Sequence, residues 1–282
     1  MKITTVVENR STRENLTAQY GLSLLVETEY GSILVDAGQD AAALNNLGAL
    51  GRDLSKTDAI FISHNHYDHI GGLGAIAEAT ADRSLPIFVS GSAKSLLYSK
   101  RLFRRRVLVS RNELIEGGGE RIVSVNDVEE IVPGAYACRI KSANVDFVCK
   151  DRKLRMLIED RGLVPDDFRH EIYLAVIEDG AVKIVSPCSH NGIINIIKDA
   201  EERFGLPVKS FVGGLHLRGN SSRTLSCPKS HVIRIADMLN ESSLEKLYTC
   251  HCTGFKAFSI LKEHLSERIL LKYFHTGCTF KV

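Results

Sequence analysis

The sequence predicts an α/β fold in which two sheets pack between outer layers of helices. The chain has two similarly ordered halves, and each begins with a hairpin pattern and continues with alternating helical and strand patterns. Histidines directly follow several of the predicted strands. Because ligand sites of open α/β proteins gather beyond the carboxyl ends of strands, we expect both halves to contribute to one site.

The first half has the pattern of a hairpin followed by helices and strands. Its opening strands are apolar and rich in β-branched residues, and the turn Glu29-Tyr30-Gly31 joins them. The predicted elements are strands at 22–27 and 32–36, a helix at 40–50, a strand at 59–62, a helix at 75–81 and a strand at 86–89. The strand at 59–62 leads directly into the motif that carries the chemistry.

The second half repeats this order. A turn at Asp179-Gly180 separates the strands of a second hairpin. The predicted elements are strands at 172–177 and 182–185, a helix at 193–204, a strand at 208–212, a helix at 229–239, a strand at 246–249, a helix at 255–265 and a strand at 269–274. We therefore expect one domain that spans residues 1–282.

The segment from about residue 91 to residue 170 has a looser pattern of short strands, which predicts an irregular insertion rather than a second core. It contains a glycine run at 117–119 and a basic run through Lys100, Arg101, Arg104, Arg105 and Arg106. The basic run is typical of a solvated face, and approach to an anionic substrate or to another subunit is the alternative.

Composition limits the class of protein. With 44% hydrophobic and 25% charged residues and a formal net charge of +2, the chain resembles an ordinary globular protein, and nucleic acid is not an expected partner. The N-terminus lacks the apolar core of a signal peptide, and no apolar run is long enough to span a bilayer. Seven scattered cysteines suit a reducing compartment. We expect a cytoplasmic protein with no membrane partner, and the oligomeric state stays open.

The motif Ser63-His64-Asn65-His66-Tyr67-Asp68-His69 follows the buried strand at 59–62. In an extended segment alternate side chains point the same way, so His64 and His66 can bind one metal ion. Asp68 and His69 lie just beyond, where the chain turns. Four ligands so close together indicate two metal ions, whereas a cluster of surface histidines is the less favoured reading.

A site with two metal ions needs about three protein ligands for each ion. We expect His64, His66 and His190 to bind one ion and Asp68, His69 and His251 to bind the other. Zinc is the expected ion, with manganese or iron as alternatives, because histidine and carboxylate ligands suit all three. Such ions lower the pKa of water and polarise a carbonyl or phosphoryl oxygen.

Other residues near strand ends are candidates for supporting or catalytic roles. Asp36 either orients a ligand histidine or is an ordinary residue at a strand end. Asp68, Tyr67 and His216 are the candidates for catalytic residues; Tyr67 would donate to a substrate oxygen, and His216 is either a metal ligand or a substrate contact. The remaining histidines and the nearby cysteines are expected to be structural or packing residues: His170, His231, His264, His275, Cys188, Cys250 and Cys252.

The motif His64-Asn65-His66-Tyr67-Asp68-His69 with Gly71-Gly72 resembles the metal-binding signature of the metallo-β-lactamase superfamily. The resemblance implies an αββα sandwich of two mixed sheets, with motifs at Asp36, His190 and His251. Further segments resemble the branch of dihydropterin ribofuranosylaminobenzene-phosphate synthase-like proteins: Gly21-Leu22-Ser23, 189–193, 213–217 and His251-Cys252-Thr253-Gly254.

One departure from the superfamily pattern bears on the second metal ion. Superfamily hydrolases usually carry an Asp, or in some lactamases a Cys, that binds metal between the third and fifth motifs. Here the corresponding strand ends in Gly213-Gly214-Leu215-His216. Either His216 takes that place or the second metal site is weak.

Two classes of function fit these residues. The leading hypothesis is a metal-dependent hydrolase or transferase that acts on an anionic small molecule, such as a phosphate ester or a pterin-linked phosphate. The alternative is a non-catalytic module that binds a metal or ligand and signals to a partner protein. The reason for this alternative is the absence of the metal-binding Asp that superfamily hydrolases usually carry between the third and fifth motifs.

Overall fold

The computed structural model describes residues 1–100, 106–141, 147–148 and 153–282, apart from the side chain of Lys100. The strands are β1 Lys2–Val7, β2 Ser23–Glu27, β3 Ser32–Val35, β4 Ala59–Phe61, β5 Ile87–Ser90, β6 Leu97–Lys100, β7 Arg106–Leu108, β8 Ile122–Val125, β9 Val128–Val132, β10 Ala135–Arg139, β11 Leu154–Ile158, β12 Gly162–Pro165, β13 Ile172–Glu178, β14 Ala181–Val185, β15 Val208–Gly213, β16 Lys246–Thr249, β17 Leu270–Tyr273 and β18 Thr279–Lys281. The α-helices are α1 Ala42–Ala49, α2 Tyr67–Ile70, α3 Leu73–Ala79, α4 Asn112–Glu116, α5 Ile193–Phe204, α6 Lys229–Glu241 and α7 Gly254–His264.

Two seven-stranded mixed sheets form the centre of the molecule. The first has the strand order β18-β1-β2-β3-β4-β5-β8, and the second has the order β17-β16-β15-β14-β13-β10-β9. Both predicted hairpins are present: Glu27 pairs with Ser32 in the first, and Glu178 pairs with Ala181 in the second. Beyond each hairpin the strands run parallel, as helix-connected strands do.

Three apolar layers hold the sheets and helices together. Side chains from both sheets meet in a buried central cluster that includes Val26, Phe61 and Leu174. Helices α1 and α3 cover the outer face of the first sheet, whereas α5, α6 and α7 cover the second. This order of layers is the predicted sandwich of two mixed sheets between outer helices.

The segment predicted to be irregular contains regular strands. Strand β8 extends the first sheet, β9 and β10 extend the second, and β6, β7, β11 and β12 form a separate four-stranded sheet. The sequence pattern indicated short strands here but not how they pair, because their partners are distant in the chain, as Leu97 and Met156 are. Of the basic run, residues 101–105 lie outside the described residues, so the prediction of a solvated face stays open.

No helix in the described part of the chain combines the length and the apolar character that crossing a membrane requires. The longest, α5 and α6, have 12 and 13 residues. A helix needs about 20 apolar residues to span the hydrocarbon core.

The carboxyl ends of the inner parallel strands of both sheets carry residues with unusual backbone angles. Asp36 follows β3, His216 follows β15 and His251 follows β16, with φ values of 58°, 49° and 48°. Ser189, after β14, has a φ of 54°. Positive φ is uncommon for residues other than glycine and clusters at functional sites. These sharp turns direct side chains from both halves toward a common region.

Candidate metal centre

The first group of converging side chains comprises His64, His66 and His190. Their donor atoms lie within 4.8 Å of one another, and Nε2 of His64 is 3.2 Å from Nε2 of His190. All three side chains are buried. We call this group the first triad, and it brings together residues from the two halves of the chain, as the sequence predicted.

The second group, the second triad, comprises Asp68, His69 and His251. Nε2 of His69 is 3.2 Å from Nε2 of His251, and Oδ2 of Asp68 lies 3.7 and 3.5 Å from these two nitrogens. The ring centroids of His64 and His69 are 4.2 Å apart, so the two triads are direct neighbours. The six predicted ligands therefore surround one continuous buried region.

Asp36 determines which ring nitrogens of two ligand histidines point into this region. Its ionised carboxylate can only accept, so Nδ1 of His69 donates to Oδ2 at 2.6 Å and the Ser63 hydroxyl donates to the same oxygen at 2.8 Å. Because Ser63 donates its proton there, its oxygen accepts from Nδ1 of His64, 2.8 Å away. Nε2 of both rings is left to face the site.

Asn9 has the same role for His251. Its Nδ2 donates to the His251 carbonyl at 3.1 Å, and its Oδ1 accepts from the Gly21 amide at 3.2 Å. Oδ1 must therefore also accept from Nδ1 of His251, 2.9 Å away, which leaves Nε2 to face the second triad. The adjacent Glu8 accepts from the His251 amide at 2.8 Å. The sequence analysis missed both residues.

A buried carboxylate also holds the backbone of the first triad. Glu171 accepts from the amide of His190 at 2.7 Å, and from the amide and side chain of Asn191 at 2.8 Å each. Burial raises the pKa of Glu171, although these hydrogen bonds oppose the shift. Glu171 was not among the sequence-predicted site residues.

The donor atoms fit divalent cations. Nε2 of His64 and Nε2 of His190 lie 3.2 Å apart in the first triad, and burial together with the neighbouring His170 lowers the pKa of His66 to about 3. In the second triad burial lowers the pKa of His69, but Asp68 and Asp36 outweigh it and raise the pKa to about 9. His69 therefore binds a proton at the position where a cation would bind.

The three predicted catalytic residues lie in different surroundings. Asp68 belongs to the second triad; although burial raises its pKa, His69 and His251 hold that pKa well below the usual range. The ring centroid of His216 is 4.1 Å from that of His190. Tyr67 packs against the apolar cluster of the small sheet. Their catalytic roles remain predictions.

Two of the cysteines interpreted as packing residues contact the site. Sγ of Cys188 lies 3.2 Å from Nε2 of His69, and its donor atom also groups with those of His190 and His216. Cys252 groups with Cys188 and His251. Cys250 instead belongs to the apolar cluster between the sheets, as a packing residue would. The interpretation of Cys188 and Cys252 as packing residues is therefore incomplete, because both also lie beside the candidate metal ligands.

His170, expected to be structural, is close to the first triad. Its Nε2 lies 3.1 Å from Oδ2 of Asp166, and the donor atoms of His66, Asp166 and His170 lie within 4.8 Å of one another. Its Nδ1 is buried and has no hydrogen-bond partner among the described residues. His170 therefore helps to define the electrostatic surroundings of His66, which its spacing from the motif did not indicate.

A cavity of about 350 Å³ adjoins the second triad at His251 and is lined by three arginines, Arg10, Arg218 and Arg223. The guanidinium carbon of Arg218 is 4.9 Å from the ring centroid of Tyr20, and that ring is 4.9 Å from the His251 ring. Arg10 stacks similarly over Phe255 at 4.8 Å. Guanidinium groups bind phosphate and carboxylate groups in bidentate geometry, so the cavity suits an anion.

Comparison with known proteins supports this assignment of the fold. Residues 16–129 match the family model described as the metallo-beta-lactamase superfamily. The 7,8-dihydropterin-6-methyl-4-(beta-D-ribofuranosyl)-aminobenzene-5'-phosphate synthase of Methanocaldococcus jannaschii is 29% identical over 261 residues, which cover 89% of this chain and 86% of that protein. The chain is thus similar to this synthase over nearly its whole length.

Solved structures share the architecture. Tm1679, a metal-dependent hydrolase of the beta-lactamase superfamily, is 25% identical with a TM-score of 0.80, and the match covers 100% of this chain and 99% of that one. The metallo-beta-lactamase fold protein YhfI from Bacillus subtilis is 13% identical with a TM-score of 0.58 and 99% coverage of both chains, a likeness of fold alone. The resemblance found in the sequence is therefore confirmed: this chain has the metallo-beta-lactamase fold, and its residues 16–129 match the model of the metallo-beta-lactamase superfamily.

Proposed function

We propose that this protein is a metal-dependent hydrolase or transferase whose substrate is an anionic small molecule, such as a phosphate ester or a pterin-linked phosphate. One observation carries the proposal: two adjacent triads of buried donors converge beside a cavity that contains three arginines. The synthase relative, whose name includes a phosphate group, and the metal-dependent hydrolase of similar fold support the same class of reaction.

The six triad residues would hold one or two divalent ions, with zinc as the expected ion. Bound in such a site, these ions lower the pKa of water and polarise a phosphoryl oxygen. Asp36 and Asn9 keep the Nε2 atoms of His64, His69 and His251 directed inward, which reduces the reorganisation that ion binding requires.

The arginine cavity would bind the anionic group of the substrate. Arg218 and Arg10 are each stacked on an aromatic ring, so their guanidinium groups are partly pre-positioned. His251 lines the same cavity and belongs to the second triad, so an anion bound there lies beside the metal centre. This arrangement would position the substrate for reaction at the triads.

Metal content and turnover test the proposal together. The purified protein is expected to hold at least one equivalent of transition metal, and His66→Ala is expected to reduce both the metal content and the turnover of a panel of phosphoesters. Less than one equivalent in the wild-type protein, with no effect of His66→Ala, would rule the proposal out.

Hydrolysis and transfer require a separate measurement. A reaction in ¹⁸O-labelled water incorporates the label into the product if water is the acceptor. Product without label indicates transfer to another acceptor group.

The segment after β15 favours a second candidate function, a non-catalytic module that binds a metal or ligand and signals to a partner protein. Residues 213–216 provide no carboxylate where superfamily hydrolases usually carry an acid. Tight binding of a phosphorylated ligand without any turnover would support this candidate, whereas metal-dependent turnover of the same ligand would exclude it.

A further inference from the structure

The side chain of Cys188 lies between the two triads. Its Sγ is 3.2 Å from Nε2 of His69, a second-triad donor. Sγ also lies within 4.8 Å of a ring nitrogen of His64. A second group of donor atoms within 4.8 Å of one another comprises Sγ of Cys188 and ring nitrogens of His190 and His216. Cys188 is therefore close to donors of both triads, and its side chain is only 3% exposed.

The backbone around Cys188 is held in place from several directions. The Pro187 carbonyl accepts from the Gly214 amide at 2.8 Å, and the Ser189 hydroxyl donates to the Gly214 carbonyl at 2.7 Å. Ser189 itself has a positive φ of 54°, which turns the chain sharply between Cys188 and His190. The residues on either side of Cys188 are thus held by Gly214, which directly follows strand β15.

Cys252 lies behind Cys188 and has its own hydrogen bonds. Its Sγ accepts from the His216 amide at 3.3 Å and contacts the Cys188 carbonyl at 3.6 Å. Gly214 makes room for this sulfur, because a Cβ at that position would lie 2.4 Å from it. Cys252 therefore supports the loop that carries Cys188.

From these contacts we propose that the Cys188 sulfur is a metal ligand located between the two triads, where it occupies the place of the acid that the segment after β15 lacks. This inference rests on the proposed function, because it concerns the same metal centre. A coordinating thiol is bound as the thiolate, so its proton leaves to solvent when the ion binds.

A thiolate ligand has a consequence for metal choice. Thiolates favour zinc, cobalt and iron, whereas manganese and magnesium prefer oxygen ligands. Cys188 therefore shifts the selectivity of a centre otherwise made of histidine and carboxylate toward zinc. Loss of the sulfur should weaken zinc binding much more than manganese binding.

The first test needs no variant. X-ray absorption at the zinc edge of the zinc-loaded wild-type protein should show a sulfur neighbour at about 2.3 Å, together with nitrogen and oxygen neighbours. A first shell of nitrogen and oxygen alone would overturn the assignment of Cys188 and leave the proposed function intact. A protein that binds no zinc at all would overturn both.

The second test identifies which sulfur binds. Cobalt-substituted wild-type protein should show a thiolate-to-metal charge-transfer band in the near ultraviolet, and Cys188→Ala should lose it. Cys250→Ala, a matched control that removes a buried thiol from the core between the sheets, should keep the band. A band that survives Cys188→Ala but disappears in Cys252→Ala would overturn the assignment.

Binding titrations provide a third readout. Cys188→Ala should weaken zinc affinity by about 100-fold and change manganese affinity by less than about threefold. Equal losses for zinc and manganese would contradict a thiolate ligand.

Discussion

Oδ2 of Asp36 lies 2.6 Å from Nδ1 of His69, and both side chains are completely buried. The same carboxylate accepts from the amide and the hydroxyl of Ser63, which in turn accepts from His64. One acid at the end of β3 thus orients a ligand of each triad. This coupling explains why Asp36 adopts a positive φ of 58° directly after its strand.

Asp36→Asn should weaken metal binding at both triads. An asparagine provides one accepting oxygen where the aspartate provides two, so Ser63 or His69 loses its acceptor. We expect an affinity loss of about 10- to 100-fold, measured by competition with a chromophoric chelator. Asp58→Asn is the matched control, since Asp58 also accepts from a strand amide but lies away from the site. Equal affinities for wild type and Asp36→Asn would contradict the role of Asp36.

Asn9→Ala should affect the second triad alone. It removes the acceptor for Nδ1 of His251 and the donor to the His251 carbonyl, so the ring loses its fixed orientation. We expect one of the two metal-binding steps to lose about tenfold in affinity while the affinity of the other step is retained. Calorimetric titration measures both steps. Equal losses in both steps would show that Asn9 acts on the whole fold instead.

The metal-free protein should lose stability as the pH rises from about 6.5 through 9. Burial lowers the pKa of His69, but Asp68 and Asp36 raise it to about 9, above the value of about 6.5 for an unfolded histidine. The proton therefore stabilises the folded state fully below pH 6.5, and this contribution, about 3 kcal/mol, is lost progressively between pH 6.5 and pH 9. Urea unfolding at a series of pH values, in the presence of a chelator, measures this change in the free energy of unfolding.

His69→Gln is the control for this pH dependence. Burial also raises the pKa of thiols such as Cys250, so part of the loss in alkaline solution comes from other groups. The difference between wild type and His69→Gln isolates the histidine. The same slope of stability against pH in both proteins would contradict the raised pKa of His69.

Arg218→Ala should weaken the binding of anionic ligands at the cavity beside His251. We expect the inhibition constant of inorganic phosphate, or the KM of a turned-over phosphoester, to rise about tenfold with a smaller change in kcat, because the guanidinium contributes mainly to binding. Arg234→Ala is the matched control, since Arg234 also stacks on an aromatic ring but does not line the cavity. No difference between these variants would argue against an anion site.

Much of the fold could be predicted from local patterns. The hairpins, the helix α5 and the strand β16 follow from apolar periodicity within a few residues, and the structure has them at or near the predicted bounds. Strands β1 and β18 were missed because β18 has only three residues and its partner β1 lies at the other end of the chain, where Lys2 pairs with Lys281. Local patterns do not reveal such partners.

The candidate site also contains residues that local patterns indicate and residues that only long-range contacts bring together. The six triad residues could be anticipated because each follows a predicted strand or lies in the His64–His69 motif. Asn9 contacts His251 across 242 positions, and Cys188 contacts His69 across 119, so no spacing rule relates them. Supporting residues of this kind become visible only when the two sheets are packed together.

The number of zinc ions bound by defined variants tests the central claim most directly, namely that two triads form adjacent metal sites. Metal analysis after zinc loading and removal of free zinc should find two ions per wild-type chain, one in His66→Ala and one in His251→Ala. One ion or fewer in the wild-type protein, or two ions in both variants, would contradict the account.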